Sequence, residues 1–280
     1  MKKKRWIYYV LACFLGFIVL SPYIWLILCS LRYDVELTAI PVKILPRNIT
    51  FSNYYRVFFQ PRWQQLNIMN FKHIMMNTII IACLSTVICL AIGSLGAYAY
   101  ARFKFIGKGI ISLLIILTIM IPGVFILIPL YVFVRKLNML DTYGGIILSF
   151  IPFTLPLVIF ILTGFFKNLP EGLEDAARVD GCSRMGVLFH IILPLSLPGI
   201  AATSIIIFLL CWNEFEFPMA LSAWKIRVLT VALSQYETQN LPDYGLMTAT
   251  AVLATFPIIV LVLIFQKLII EGLTQGAIKE

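Results

Sequence analysis

The side chains able to do chemistry in this sequence are few, and they gather in two places. In the first, Glu171, Glu174, Asp175, Arg178 and Asp180 crowd into one short stretch, with Ala176, Ala177 and Gly181 among them. Charges of both signs beside a bare Ala-Ala surface suit a docking helix that fits a groove on a soluble partner. The competing use is an amphipathic helix lying on lipid. In the second, Asn213, Glu214 and Glu216 stand with Trp212 and Phe215 at the far end of an apolar run. An ionisable group at that depth is costly and usually faces a cavity or a partner. The alternative is a band of aromatic and acidic residues at headgroup level.

Other chemistries lack their residues. The two histidines, His73 and His190, are far apart, and the six cysteines form no C-x-x-C pair, so a metal site is not expected. Cys13, Cys29, Cys83, Cys89 and Cys211 lie inside apolar runs and read as small packing residues. The nearest fragment to a phosphate-binding loop, Gly107-Lys108-Gly109, lacks the spacing and the hydroxyl. His190 beside a helix end reads as structural. Arg135, Lys136 and Asp141 read as a solvated turn. Charge alone does not point to nucleic acid. The net +9 is spread over short polar segments, without a basic reading helix.

The elements that hold these residues follow from hydropathy. Of the 280 residues 61% are hydrophobic and 12% charged, which excludes a disordered chain and argues against an ordinary soluble globule. Six charge-free windows, 6–31, 73–101, 109–134, 142–166, 185–213 and 244–266, each exceed the roughly 20 apolar residues that cross a bilayer as helix. Backbone groups in lipid must be satisfied internally, so these are helices, and the alternating pattern of barrel strands is absent. The expected fold is an all-α integral membrane protein of six transmembrane helices, over about residues 7–31, 74–100, 110–134, 143–166, 199–221 and 245–267. They form a single membrane domain, 1–280, with an external loop over 32–72. The first window is too long for a cleaved signal core and is read as a retained helix. Lys2, Lys3, Lys4 and Arg5, with Arg102, Lys104 and Lys108, favour an inside N-terminus, and an even number of spans puts both termini there.

Pro122, Pro129, Pro152, Pro156 and Pro257 are candidate kinks within the spans. Gly93, Ala97 and Ala101 recur every fourth residue and predict a close helix neighbour. The segment 167–198 does not fit a plain bundle and reads as two short helices and a turn. Pro170 suits the first helical position, Glu174 and Arg178 form an i,i+4 pair, Gly181 permits the turn, and Leu193-Pro194 stops the second helix.

This segment resembles the EAA loop of permease subunits of ABC importers: Glu-Ala-Ala, three residues, Gly, then an apolar stretch ending in Leu-Pro. Here it reads Asp175-Ala176-Ala177, Gly181 and Ile191-Ile192-Leu193-Pro194, with Asp where the family usually has Glu. Tyr98-Ala99-Tyr100-Ala101-Arg102-Phe103, Leu140-Asp141-Thr142-Tyr143-Gly144, Trp212-Asn213-Glu214-Phe215 and Glu271-Gly272-Leu273-Thr274-Gln275-Gly276-Ala277-Ile278-Lys279 look like the second permease subunit of maltose-type and multiple-sugar importers. The resemblance implies a multi-pass subunit of the cell (inner) membrane, both termini cytoplasmic, coupled by a cytoplasmic EAA loop to two ATP-binding subunits. Its other implied partners are a second permease (as a heterodimer), membrane lipid and an extracytoplasmic solute-binding protein. It implies a non-catalytic chain that binds no cofactor, with ATP and Mg on the partner ATPases, and transport by alternating access.

By the resemblance, Glu174, Asp175, Ala176, Ala177, Asp180, Gly181, Leu193 and Pro194 are the coupling residues. Gly272, Gly276 and Lys279 belong to a tail that touches the ATPase. From their depth, Trp212, Asn213, Glu214, Phe215 and Glu216 are the candidates for lining the solute path, against an interfacial band as the alternative, and an amide such as Asn213 suits sugar hydroxyls. An ion-gradient-driven carrier, and an ABC permease for a non-sugar solute, are the alternatives.

Overall fold

A computed structural model describes residues 2–41, 43–59, 70–222, 225–235 and 243–275. Regular structure among the described residues is helical. Among the described residues, four helices are long and apolar enough to cross a membrane, and two bent pairs bring the number to six if each pair is one span. The chain packs as two compact units, Met1–His73 with Ala232–Pro257, and Ile74–Val231 with Ile258–Glu280.

In the first unit, α1 (Lys2–Ser30) carries its apolar side chains outward, and none of its most hydropathic stretch is buried by its own chain. The stretch 32–72 is expected to be an external loop. Its described residues hold two short helices, α2 (Asp34–Leu37) and α3 (Ser52–Phe59), fixed by polar contacts too dispersed for periodicity to reveal. Buried Asn53 donates to the carbonyls of Ser30 (2.9 Å) and Arg32 (2.7 Å), two groups that the end of α1 leaves unpaired. Arg56 pairs with Asp34 (3.1 Å) and with Asp243, and Asp34 accepts the Gly245 N–H at 2.9 Å.

The second unit is organised around α7 (Tyr143–Asn168), on which α5 (Lys108–Met120), α6 (Gly123–Lys136) and α10 (Leu197–Asn213) pack. Ile146, Phe150, Val158, Leu162 and Phe166 are its buried face. The long helix α4 (Phe71–Arg102) approaches α7 where Gly93 meets Val158 and Gly96 meets Ile159, and Ala97 is fully buried. Ala101 is only half-buried.

Two predicted helices are broken, for local reasons. The stretch expected as one helix over 110–134 bends by 96° between α5 and α6. Pro122 forces Ile121 to an extended ψ of 122°, as a residue before proline prefers. The helix expected over 199–221 ends at Asn213. Glu214 turns extended, and its carboxylate accepts the N–H groups of Glu216 (3.0 Å) and Phe217 (3.4 Å), which start α11 (Glu216–Leu221). By contrast, Pro129, Pro152 and Pro156 sit inside continuous helices, as does Pro257 within α13 (Tyr244–Gln275), which follows the short α12 (Leu229–Ser234).

Candidate functional site

The polar segment after α7 folds as α8 (Glu171–Val179), a turn, and α9 (Arg184–Leu195). Pro170 stands at the N-cap of α8, one residue earlier than its expected place. The turn closes as a Schellman motif. Cys182 N–H reaches the Ala177 carbonyl (2.9 Å) and Gly181 N–H the Arg178 carbonyl (3.1 Å), with Gly181 at φ +88°. Ser183 then caps α9 by accepting the Gly186 N–H at 3.1 Å.

Leu193-Pro194 does not stop α9. The helix widens to a π-turn over Leu188–Ile192, with Leu193 N–H bonded to the Leu188 carbonyl. A proline ring clashes with the carbonyl four residues before it, and the wider turn relieves that clash at His190. His190 Nδ1 lies 2.9 Å from the Gly186 carbonyl of its own helix, in keeping with a structural role. The chain bends by 80° between α9 and α10, between Pro194 and Pro198.

The residues expected to make the coupling contact are divided between exterior and interior. Asp175, Ala176, Asp180 and Gly181 are exposed, Ala177 is buried, and Leu193 and Pro194 are half-buried and exposed respectively. Glu174 does not pair with Arg178. It is turned inward, where one carboxylate oxygen is bonded to Arg102 Nε and the other accepts the Tyr98 hydroxyl at 3.2 Å. Burial decides between the two arginines. Arg102 offers a guanidinium in the interior, whereas Arg178, one turn further along α8, is exposed to solvent. A cleft of about 170 Å³ opens beside this pair, lined among others by Phe103, Lys104, Asp175 and Arg184. The Arg184 guanidinium lies 4.6 Å over the Phe103 ring.

The second candidate group is only partly brought together. Trp212 is buried against Phe208, with ring centroids 5.4 Å apart. Asn213, Phe215 and Glu216 are exposed, and Glu214 is half-buried. Exposed Asn213 donates one amide proton to the Leu209 carbonyl (2.9 Å). Glu214 is held at the start of α11 by the two N–H groups already described. Gly272 lies within α13, while Gly276 and Lys279 fall outside the described residues.

Sequence reasoning missed Asp141. Rather than standing in a solvated turn, its carboxylate accepts the N–H groups of Lys225 (2.8 Å) and Ile226 (3.0 Å), and its own N–H reaches the Leu221 carbonyl at 2.8 Å. Its φ of +56° makes that geometry possible and is tolerated better by Asp than by most residues. Asn77 likewise donates to the Arg227 carbonyl (3.0 Å) and accepts the Tyr143 hydroxyl (2.5 Å). The motif Leu140-Asp141-Thr142-Tyr143-Gly144 thus carries two of the anchors for the segment after α11. Asp141→Ala leaves two N–H groups without their acceptor, and a loss of about 1–3 kcal/mol is expected. It reads as a lower unfolding midpoint of the detergent-solubilised protein, and an unchanged midpoint contradicts the anchoring role.

Three comparisons bear on this arrangement. A family model described as the inner membrane component of binding-protein-dependent transport systems matches residues 89–275. The chain is 33% identical to the sulfoquinovosyl glycerol transport system permease protein of Agrobacterium fabrum, over 93% of this chain and 89% of that one. It is also 33% identical to the trehalose/maltose transport system permease protein of Thermococcus litoralis, over 99% and 97%. A chain in the crystal structure of a bacterial ABC transporter involved in import of the acidic polysaccharide alginate shares the fold. Its TM-score is 0.75 at 24% identity, covering 95% of this chain and 98% of that one. The family match spans α7, the whole α8–α9 segment and α10, so this chain belongs to the binding-protein-dependent transport system inner membrane components.

Proposed function

We propose that this chain is the permease subunit of an ATP-driven carbohydrate importer, itself non-catalytic, which forms the translocation path with a second, similar permease. The observation that carries the reading is α8. It is a short helix with an exposed Asp175-Ala176 surface, ended by a fixed Schellman turn and anchored from behind. Such an element offers a soluble partner a small, charged and rigid surface. We assign that partner as one of two cytoplasmic ATPases, with ATP and Mg held on them. Residues 167–198 form the coupling loop on this reading, and the six spans of 1–280 one permease domain with cytoplasmic termini. Residues 272–279 are a further ATPase contact. An extracytoplasmic binding protein delivers the solute.

The carbohydrate class is supported by relatives whose names specify trehalose/maltose and sulfoquinovosyl glycerol, both sugar-containing solutes. Asn213, Phe215 and Glu216 offer an exposed amide, ring and carboxylate suited to hydroxylated solutes. Glu214 contributes by holding that turn in place, and buried Trp212 supports it from within.

Nucleotide drives the cycle only if the docked and undocked permease differ in free energy. α8 and the bend between α9 and α10 are the elements whose positions the ATPases would bias. The test is uptake of labelled oligosaccharides by cells with and without this chain. The expected result is uptake that stops when ATP is depleted and persists when ion gradients are collapsed. Uptake that follows the ion gradient instead contradicts the reading and returns the secondary carrier.

The solute path has its own test. Cysteine at 213 or 216, in a background without native cysteines, is expected to react with a small external thiol reagent and to be protected by transported solute. Protection of both positions in every nucleotide state contradicts a lining role.

A further inference from the structure

The inward turn of Glu174 separates it from its exposed neighbours. Its carboxylate takes Arg102 Nε on one oxygen and the Tyr98 hydroxyl on the other. The same guanidinium donates from Nη2 to the Leu169 carbonyl at 2.9 Å, and Leu169 is the C-cap of α7. One arginine thus joins the last turn of α4, the C-terminal end of α7 and the middle of α8. The carbonyls at a helix C-terminus lack partners of their own and favour a cation, so Arg102 fits that end of α7 electrostatically as well as sterically.

Both partners are nearly out of water, with side chains 8% and 10% exposed. Removing one member of such a pair leaves an uncompensated buried charge, which is why the pair resists slipping. The planar fork of arginine also fixes direction, because its two bonds point to different elements. On either side α8 is joined to its neighbours through the backbone, by extended Pro170 before it and by the Schellman turn after it. Among the described residues, Glu174 is the one α8 side chain hydrogen-bonded to a spanning helix.

We propose that Glu174 and Arg102 form the transmission joint of this permease: the pair passes displacement of α8 to α4 and α7, while exposed Asp175 and Ala176 make the docking contact. Glu174 is then a positioning residue and touches no partner. This rests on the reading that α8 docks an ATPase. The joint predicts a kind of variant that docking residues cannot give, one that binds the ATPase and fails to use it.

The experiment uses the full importer in proteoliposomes with Glu174→Gln, Arg102→Met, the double variant, and Asp175→Lys. Two quantities are read, the ATPase that co-purifies and the solute moved per ATP hydrolysed. Glu174→Gln and Arg102→Met are expected to keep wild-type ATPase recovery while solute per ATP falls by about 5- to 150-fold, the usual range of a coupling energy. The double variant is expected to be no worse than the more severe single one, because both remove one joint. Loss of ATPase recovery in Glu174→Gln would make Glu174 a docking contact and overturn the proposal. So would normal solute per ATP in both single variants, or penalties that simply add. Asp175→Lys reports on docking itself. If it leaves ATPase recovery unchanged, the docking reading fails, whatever the joint variants do.

Discussion

Gly181→Val is expected to lower ATP-driven uptake by roughly 5- to 150-fold while leaving the chain inserted and folded in the membrane. Gly181 sits at φ +88° and supplies an N–H to the motif that closes α8. A non-glycine residue held in a sparsely populated backbone region costs about 1–3 kcal/mol, and a β-branched one lies at the upper end. Each 1.4 kcal/mol is about a factor of ten in the population of the correctly turned state. Space is not the limitation, because a Cβ at this position meets nothing within 4 Å. The substitutions should therefore rank by backbone preference. Gly181→Asn, larger than alanine yet tolerant of positive φ, should be milder than Gly181→Ala, and both milder than Val. A ranking by side-chain size, or normal uptake in Gly181→Val, contradicts the role given to this turn.

Gly145→Val is expected to abolish the folded protein rather than its coupling. A Cβ at 145 collides with the backbone oxygen of Met139, which no rotamer change can move aside. The turn before α7 is closed tightly by Asn138 at φ +55° and Asp141 at φ +56°, and Thr142 caps Gly145 at 3.1 Å. Opening it would strip Asp141 from its bonds to Lys225 and Ile226. Forcing atoms into a packed site costs about 1–3 kcal/mol where side chains can yield, and a backbone collision exceeds that range. The check is membrane abundance and the unfolding midpoint in detergent, with Gly164→Ala as control. Gly164 has nothing within 4 Å, and that change should be neutral or slightly stabilising. A wild-type midpoint for Gly145→Val contradicts the packing described.

The spans were legible in the sequence because lipid leaves long apolar windows little structural choice. The close approach of α4 to α7 was legible in Gly93 and Ala97 for a similar reason, since only small residues admit it. What the sequence concealed is set by single local contests. Pro122 breaks a helix while Pro129, Pro152 and Pro156 do not, since neighbouring packing decides which lost hydrogen bond becomes a bend. Glu214 ends α10 because its carboxylate competes for two N–H groups, an outcome that hydropathy cannot express.

The segment 167–198 stands out by its residues, and the pairing they suggest is not the one that forms. Glu174 and Arg178 have ideal spacing on a helix, yet Arg102, far away in sequence, wins by being buried. Asp141 hid in the same way, as a charged residue in a polar turn whose partners lie much later in the chain. Such contacts between distant segments carry no periodic signal.

On the proposed function, α8 docks an ATPase beneath a paired permease. This docking is tested most directly by tagged purification from mildly solubilised membranes, wild type beside Asp175→Lys, with every accompanying chain identified. Wild type is expected to bring down a phosphate-loop ATPase and a second six-span permease, and the lysine variant to keep the permease and lose most of the ATPase. Recovery of neither chain with wild type, or undiminished ATPase with Asp175→Lys, would contradict it.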